Sequence, residues 1–141
     1  MHLCRLTVLC MAFALFGSNF LLANDTSSEG QPVSLHGEIV FSGLDALPWD
    51  SSVRIYLEDM TAASNPQFDV VAQRTIVTHG EQIPIQFTLP LSGAVILEDH
   101  DYLLCADITI GMRRQFVCKE GVSFRGKRLP EYVKLVLQRV S

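Results

Sequence analysis

The sequence predicts an all-β protein: a single-domain antiparallel β-sandwich or open barrel of about seven strands. Three observations lead there. Apolar and polar residues alternate with a period of two through most of residues 33–140, and no window holds a helical period for long. Gly, Pro, Asn and Asp clusters recur every ten or so residues, at the spacing of short strands joined by turns. There is no internal repeat and no low-complexity tract.

Residues 1–23 form a separate unit. Arg5 is their one charged side chain, an apolar run follows from Leu6 to Phe16, Gly17-Ser18-Asn19 interrupts it, and Leu21-Leu22-Ala23 precedes a polar stretch. This is the layout of a cleavable secretory signal, with cleavage expected after Ala23. The apolar core is shorter than the roughly 20 residues that span a bilayer, and an uncleaved anchor is the alternative. Neither Cys4 nor Cys10 sits in a Leu-Ala-Gly-Cys context of lipoprotein processing. The expectation is a soluble, exported chain without a lipid anchor. Residues 24–32 are a polar leader and residues 33–141 the β domain, one domain by size.

Within that domain Val33 to Ser42 alternates as a first strand, in which Gly37 is a weak point or a bulge. Leu47-Pro48 turns the chain, and Ser52 to Met60 is a second strand with Val53, Ile55 and Leu57 on one face. Trp49 is expected as a loop anchor packed on the edge of the core. Thr61 to Asp69 is a loop, since Asn65-Pro66 disfavours a longer helix. Val70 to Thr78 and Ile83 to Leu89 are strands three and four. Pro84 cannot donate to a ladder, which puts the fourth strand at an edge. After an irregular connection from Pro90 to Asp101 comes a hairpin from Tyr102 to Lys119, then a loop from Glu120 to Pro130 and a last strand from Tyr132 to Val140.

The hairpin organises the rest. Gly111-Met112 are the central residues of a two-residue turn, and glycine at the first position predicts type II′. Pairing Ile110 with Arg113 sets Cys105 opposite Cys118 at a non-hydrogen-bonded site, where Cα atoms approach to about 4.5 Å, within disulfide range. Once the signal is removed these are the two remaining cysteines, an even pair for an oxidising compartment. A Cys105–Cys118 disulfide is expected.

Charge is divided unevenly. Residues 24–112 hold 13 acids and two arginines, whereas residues 113–141 hold eight basic residues against Glu120 and Glu131. The basic segment either pairs with the acidic body inside the fold or meets an acidic partner or anionic lipid headgroups. An acidic chain without aromatics interleaved among its basic residues is a poor nucleic-acid binder. No catalytic constellation appears: there is no nucleophile elbow and no phosphate loop. His36 and His79 sit at solvent-facing strand and turn positions. His100, in Glu98-Asp99-His100-Asp101, belongs to the one ligand-dense cluster, but consecutive residues on an extended loop point apart. Neither a cofactor nor a metal is expected.

Several short stretches, taken in order, resemble the YbaY/YscW family: Gly37, Leu47-Pro48, Leu57-Glu58-Asp59, His79-Gly80-Glu81-Gln82-Ile83-Pro84 running into Phe87-Thr88-Leu89-Pro90, and Ala106-Asp107-Ile108-Thr109. The family includes envelope lipoproteins of the YbaY type and the pilotins, or secretin chaperones, of type III secretion (YscW, ExsB). The resemblance covers Val33 to Val140. It implies an all-β, non-enzymatic protein that binds a protein partner, the C-terminal segment of a secretin, and helps the secretin reach and assemble in the outer membrane. A YbaY-like periplasmic accessory or ligand-binding module without a secretin client is the other reading. Two binding modes fit: strand addition at the edge formed by Ile83 to Leu89, or a groove between the sheets taking the apolar face of a short helix, which suits a tail that folds on binding. The loop residues Arg125, Lys127 and Arg128 are the candidate charged contributors, with peripheral membrane association as a further possibility for the basic segment.

Overall fold

Alternation at period two becomes eight strands in a computed structural model that describes residues 33–43, 46–61, 69–92, 94 and 96–141. They are β1 (Ser34–Phe41), β2 (Ser51–Asp59), β3 (Val70–Val77), β4 (Ile85–Pro90), β5 (Asp101–Ile110), β6 (Arg113–Glu120), β7 (Val122–Arg125) and β8 (Val133–Arg139). The expected signal segment, the leader and most of the loop around Asn65-Pro66 lie outside the described residues. The short strand β7 is an addition to the sequence reading, which left Glu120 to Pro130 as a loop. Four residues, Val-Ser-Phe-Arg, are too few to show a period, yet they pair with Asp101–Leu104 of β5.

The strands form one sheet in the order β3-β2-β5-β6-β8-β1-β4, with β7 pairing β5 beyond the end of β6. The sheet curls into a nearly closed barrel. All its pairs are antiparallel except β1 with β8, which run parallel. β4 is an edge, as expected, though it begins at Ile85 and leaves Pro84 outside the strand, and β3 is the other edge. Across the seam between them Arg74 Nη1 donates to the Thr88 carbonyl at 2.7 Å. Arg74 stands opposite the fully buried Ile55, in the inward-facing row of β3, so its long side chain leaves the barrel through the open seam.

Inward positions follow the alternation. Leu35, Ile39 and Phe41 of β1, Val53, Ile55 and Leu57 of β2, Ile85, Phe87 and Leu89 of β4, and Val133, Leu135 and Leu137 of β8 are buried. On β5 the row is Tyr102, Leu104, Ala106 and Ile108, each at 0% exposure. Gly37 belongs to the inward row of β1, and no bulge interrupts β1 there. A Cβ at this position would lie 2.2 Å from the Val133 carbonyl oxygen and 2.9 Å from the Phe87 ring, so glycine allows the close approach of β8 and the cover of the aromatic ring. Trp49 departs from expectation: it is 74% exposed, and its neighbour Leu47 takes the core position instead.

The hairpin differs from its predicted form in two ways. Gly111 and Met112 have φ of 54° and 67°, both positive, which makes the turn type I′. Thr109↔Arg114 and Ile110↔Arg113 pair as expected, but Ile108 pairs Phe116 and Asp107 pairs Val117, with Gln115 as the extra residue of a bulge. The Gln115 carbonyl accepts from Val140 N at 2.8 Å, so the bulge also ties down the end of the chain after β8. The shift takes Cys105 and Cys118 out of the expected direct pair. Their side chains still meet through a sulfur–sulfur hydrogen bond. That bond holds Cys118 down, to about 7, against the opposing effect of burial and with help from the Ala106 N–H. Cys105 is pushed up, first by the same hydrogen bond and then by burial.

Two outcomes follow. Gly37→Ala forces backbone or ring displacement and is expected to cost about 3 kcal/mol, lowering the thermal midpoint by roughly 10 °C; an unchanged midpoint would contradict the close β1–β8 packing. In the reduced chain, iodoacetamide should alkylate Cys118 well before Cys105, with a rate that rises through about pH 7 as the thiolate forms. Equal labelling of the two, followed by peptide mass analysis, would contradict the hydrogen-bonded asymmetry.

Candidate partner-binding site

The two ends of the barrel differ in chemistry. One end, here the loop end, carries the connections around residues 91–100 and 126–132. The opposite hairpin end carries the β5–β6 turn. The three sequence-predicted residues all lie at the loop end. Arg125 closes β7, opposite Asp101 of β5. Gly126 follows with φ 57°, and its N–H donates to the His100 carbonyl at 2.8 Å. A Cβ there would lie 2.3 Å from the Glu98 carbonyl oxygen, so only glycine lets this turn lie flat on the 96–100 segment. The turn then presents Lys127 and Arg128 outward.

Electrostatically this end is mixed. Arg125 Nη1 lies 3.3 Å from Asp101 Oδ1 and Lys127 Nζ 3.7 Å from Glu98 Oε1, all on exposed side chains where an ion pair contributes little. Arg128 has no ion-pair partner among the described residues. The three cations and Glu98 line a polar cleft of about 530 Å³. Next to it is an apolar cavity of about 270 Å³ formed by Val33, Leu91, Ala94, Ile96 and Leu129, with Lys127 shared between the two. This arrangement joins an apolar hollow to a basic rim, the complement of an amphipathic segment carrying an acid. Sequence reasoning found the rim and missed the hollow. Its walls come from two connections read as irregular, where no period marks which residues point inward.

The other concavity is the β3–β4 seam, a cleft of about 440 Å³ lined by His36, Arg74, Ile76, Phe87, Thr88 and Tyr132, among others. Its polar groups are engaged with one another. His36 Nδ1 is 3.1 Å from Thr88 Oγ1, the Tyr132 hydroxyl donates to Gln86 Oε1 at 2.9 Å, and Arg74 holds the Thr88 carbonyl. An incoming strand would have to displace these contacts before reaching the β4 edge.

His100 is not in a ligand cluster: its Nδ1 lies 2.6 Å from Asp59 Oδ2, and the ring stacks near Tyr102. Among the described residues no three His, Cys, Asp or Glu side chains are grouped as a metal would need. His36 and His79 are exposed, as their positions predicted. Among the described residues no helix is long and apolar enough to cross a membrane.

Comparison with known proteins agrees with the geometry. Residues 31–135 match the family described as type III secretion system lipoprotein chaperone (YscW). A solved structure, that of an alternative pilotin from the type II secretion system of Vibrio cholerae, superposes with a TM-score of 0.68 at 25% identity, over 77% of this chain and 97% of the pilotin. A search of curated proteins returns no match. With the all-β barrel and most of its length aligned, this chain belongs to the YscW family of type III secretion lipoprotein chaperones.

Proposed function

We propose that this protein is a pilotin-like envelope chaperone: it binds the C-terminal segment of a secretin subunit of type III secretion and assists its assembly in the outer membrane. The observation that carries this reading is the YscW family match over residues 31–135. The neighbour, a pilotin from a type II secretion system, supports the pilotin-like part of the reading. The protein works by binding and not by catalysis. Residues 1–23 direct export and are removed after Ala23, and the β domain acts in the periplasm or at the periplasmic face of the outer membrane.

The groove mode suits the loop end better than strand addition suits the seam. A short amphipathic tail can place an apolar side chain among Leu91, Ile96 and Leu129 while an acidic residue meets Lys127 or Arg128, with Arg125 at the side of the cleft. In the exported protein Cys105 and Cys118, already in contact, are oxidised to a disulfide that braces the hairpin.

Affinity capture from the native envelope tests the reading. The tagged protein should recover a secretin subunit, and recovery should vanish when the secretin's C-terminal tail is deleted; recovery of no secretin, or recovery independent of the tail, overturns it. Ile96→Asp and Lys127→Glu should each weaken binding of a synthetic tail peptide about tenfold, the loss expected for one buried apolar contact or one charged rim contact. Converting both cysteines to serine should remove about 3 kcal/mol and lower the thermal midpoint of the oxidised protein by several degrees. An unchanged midpoint would mean that the bridge does not form.

A further inference from the structure

Of the eight basic residues in 113–141, three form ion pairs and five make none among the described residues: Arg113, Arg114 and Arg139 at the hairpin end, Lys119 further along β6, and Arg128 at the loop end. Arg125, Lys127 and Lys134 pair with acids of the body, at Asp101, Glu98 and Glu38. Arg113, Arg114 and Arg139 are exposed. Arg113 and Arg114 open β6, and Arg139 closes β8 opposite Phe116.

The same rim exposes apolar side chains that the fold does not use. Met112, at the tip of the turn, is 97% exposed, Trp49 is 74% exposed and Val77 is 60% exposed. Register makes them neighbours around the rim. Val77 pairs Ser52 at the start of β2, and Ser51 pairs Ile110 at the base of the turn. Gly111 faces the Asp50 carboxylate at 3.5 Å from its Cβ position, one residue from Trp49. The Trp49 indole itself lies over Gly80 and edge-on to His79, 5.7 Å between ring centroids, and so is held outward.

Met112 is the telling residue. Its φ of 67° is left-handed, where asparagine or glycine is favoured and methionine is strained. Turn chemistry therefore does not account for an apolar side chain here, and packing does not either. A convex tip with a flexible apolar residue, an amphipathic tryptophan beside it and unpaired arginines behind it matches the profile of a bilayer interface, where apolar groups enter and guanidinium groups meet phosphates. A protein partner of acidic character would meet the arginines, but it would need a matching pocket to gain from a protruding methionine, whereas a bilayer interface needs none.

We propose that the hairpin end is a membrane-docking surface for anionic phospholipid, with Met112 and Trp49 entering the interface and Arg113, Arg114 and Arg139 contacting headgroup phosphates. This surface lies at the opposite end of the barrel from the proposed secretin site, so the chain could rest on a membrane while its loop end faces a client. The inference rests on the envelope reading only for the membrane that is met; vesicle binding requires no secretin, so either idea can fail alone.

The test uses a chain beginning at Asn24, which retains all the described strands and the described core but not the apolar segment 1–23. Cosedimentation with vesicles of phosphatidylethanolamine and phosphatidylglycerol should show binding that weakens with salt, and vesicles of phosphatidylcholine should bind far less. Met112→Asn relieves the left-handed strain, so the variant should fold at least as well while binding about tenfold more weakly. Arg113→Gln with Arg114→Gln should lower affinity about 30-fold, the equivalent of about 1 kcal/mol per arginine. Full binding by Met112→Asn, no salt dependence, or no vesicle binding at all would each overturn the proposal. Salt-sensitive retention on an acidic polypeptide without vesicle binding would assign the surface to an acidic protein instead.

Discussion

The inward row of β5 is the constraint on which the rest of the structure depends. Tyr102, Leu104, Ala106 and Ile108 are fully buried, and the strand pairs β2 along its whole length, β6 at one end and β7 at the other. A ten-residue strand with partners on both edges fixes three others directly. Through β6 it also places β8, which in turn holds β1 by the parallel pairing that brings Gly37 against the Val133 carbonyl. Tyr102 extends this control to the loop end, where its hydroxyl accepts from Leu97 N at 2.8 Å and its ring stacks on Phe124. The irregular segment that walls the apolar hollow is therefore anchored on the same strand that sets the hairpin.

Much of the fold was legible because one face of almost every strand is buried, and a half-buried strand writes its face into the sequence as alternation. Ser52 to Met60 and Ile83 to Leu89 show this: Val53, Ile55 and Leu57, and Ile85, Phe87 and Leu89, all point inward. β4 is an edge strand as Pro84 suggested, although the strand begins one residue later, at Ile85, and Pro84 itself has no place in the ladder. The errors have physical causes of their own. A single bulge at Gln115 moved the register of the hairpin by one residue, and nothing in Arg113-Arg114-Gln115-Phe116 signals where an extra residue enters. β7 was too short to have a period. Gly37 was read as weakness, although its role is a contact made by β8, almost a hundred positions later in the chain. Trp49 was expected as a loop anchor packed on the core edge, but Leu47 is buried there and the indole is left outside.

The candidate site was half legible for the same reasons. Arg125, Lys127 and Arg128 stood out as charges in a loop, and the structure gathers them around one cleft with Glu98. The apolar hollow beside them is assembled from Val33, just before β1, and from Leu91, Ala94, Ile96 and Leu129 of two connections that only the curled sheet brings together. Charge distribution posed a choice between internal pairing and an external partner, and the fold answers it by position. Near the loop end Arg125, Lys127 and Lys134 pair with acids and Arg128 does not, whereas Arg113, Arg114 and Arg139 near the hairpin end make no ion pair among the described residues. The barrel therefore has two chemically different ends.

The central claim is that a secretin tail is held at the loop end. Hydrogen–deuterium exchange of the β domain with and without a synthetic peptide of the secretin C-terminus tests it most directly. The account predicts slowed exchange in the segments around Leu91 to Leu97 and Gly126 to Leu129, with the hairpin turn at Gly111 and Met112 unchanged. Protection confined to the β3–β4 seam, or to the hairpin end, would contradict it.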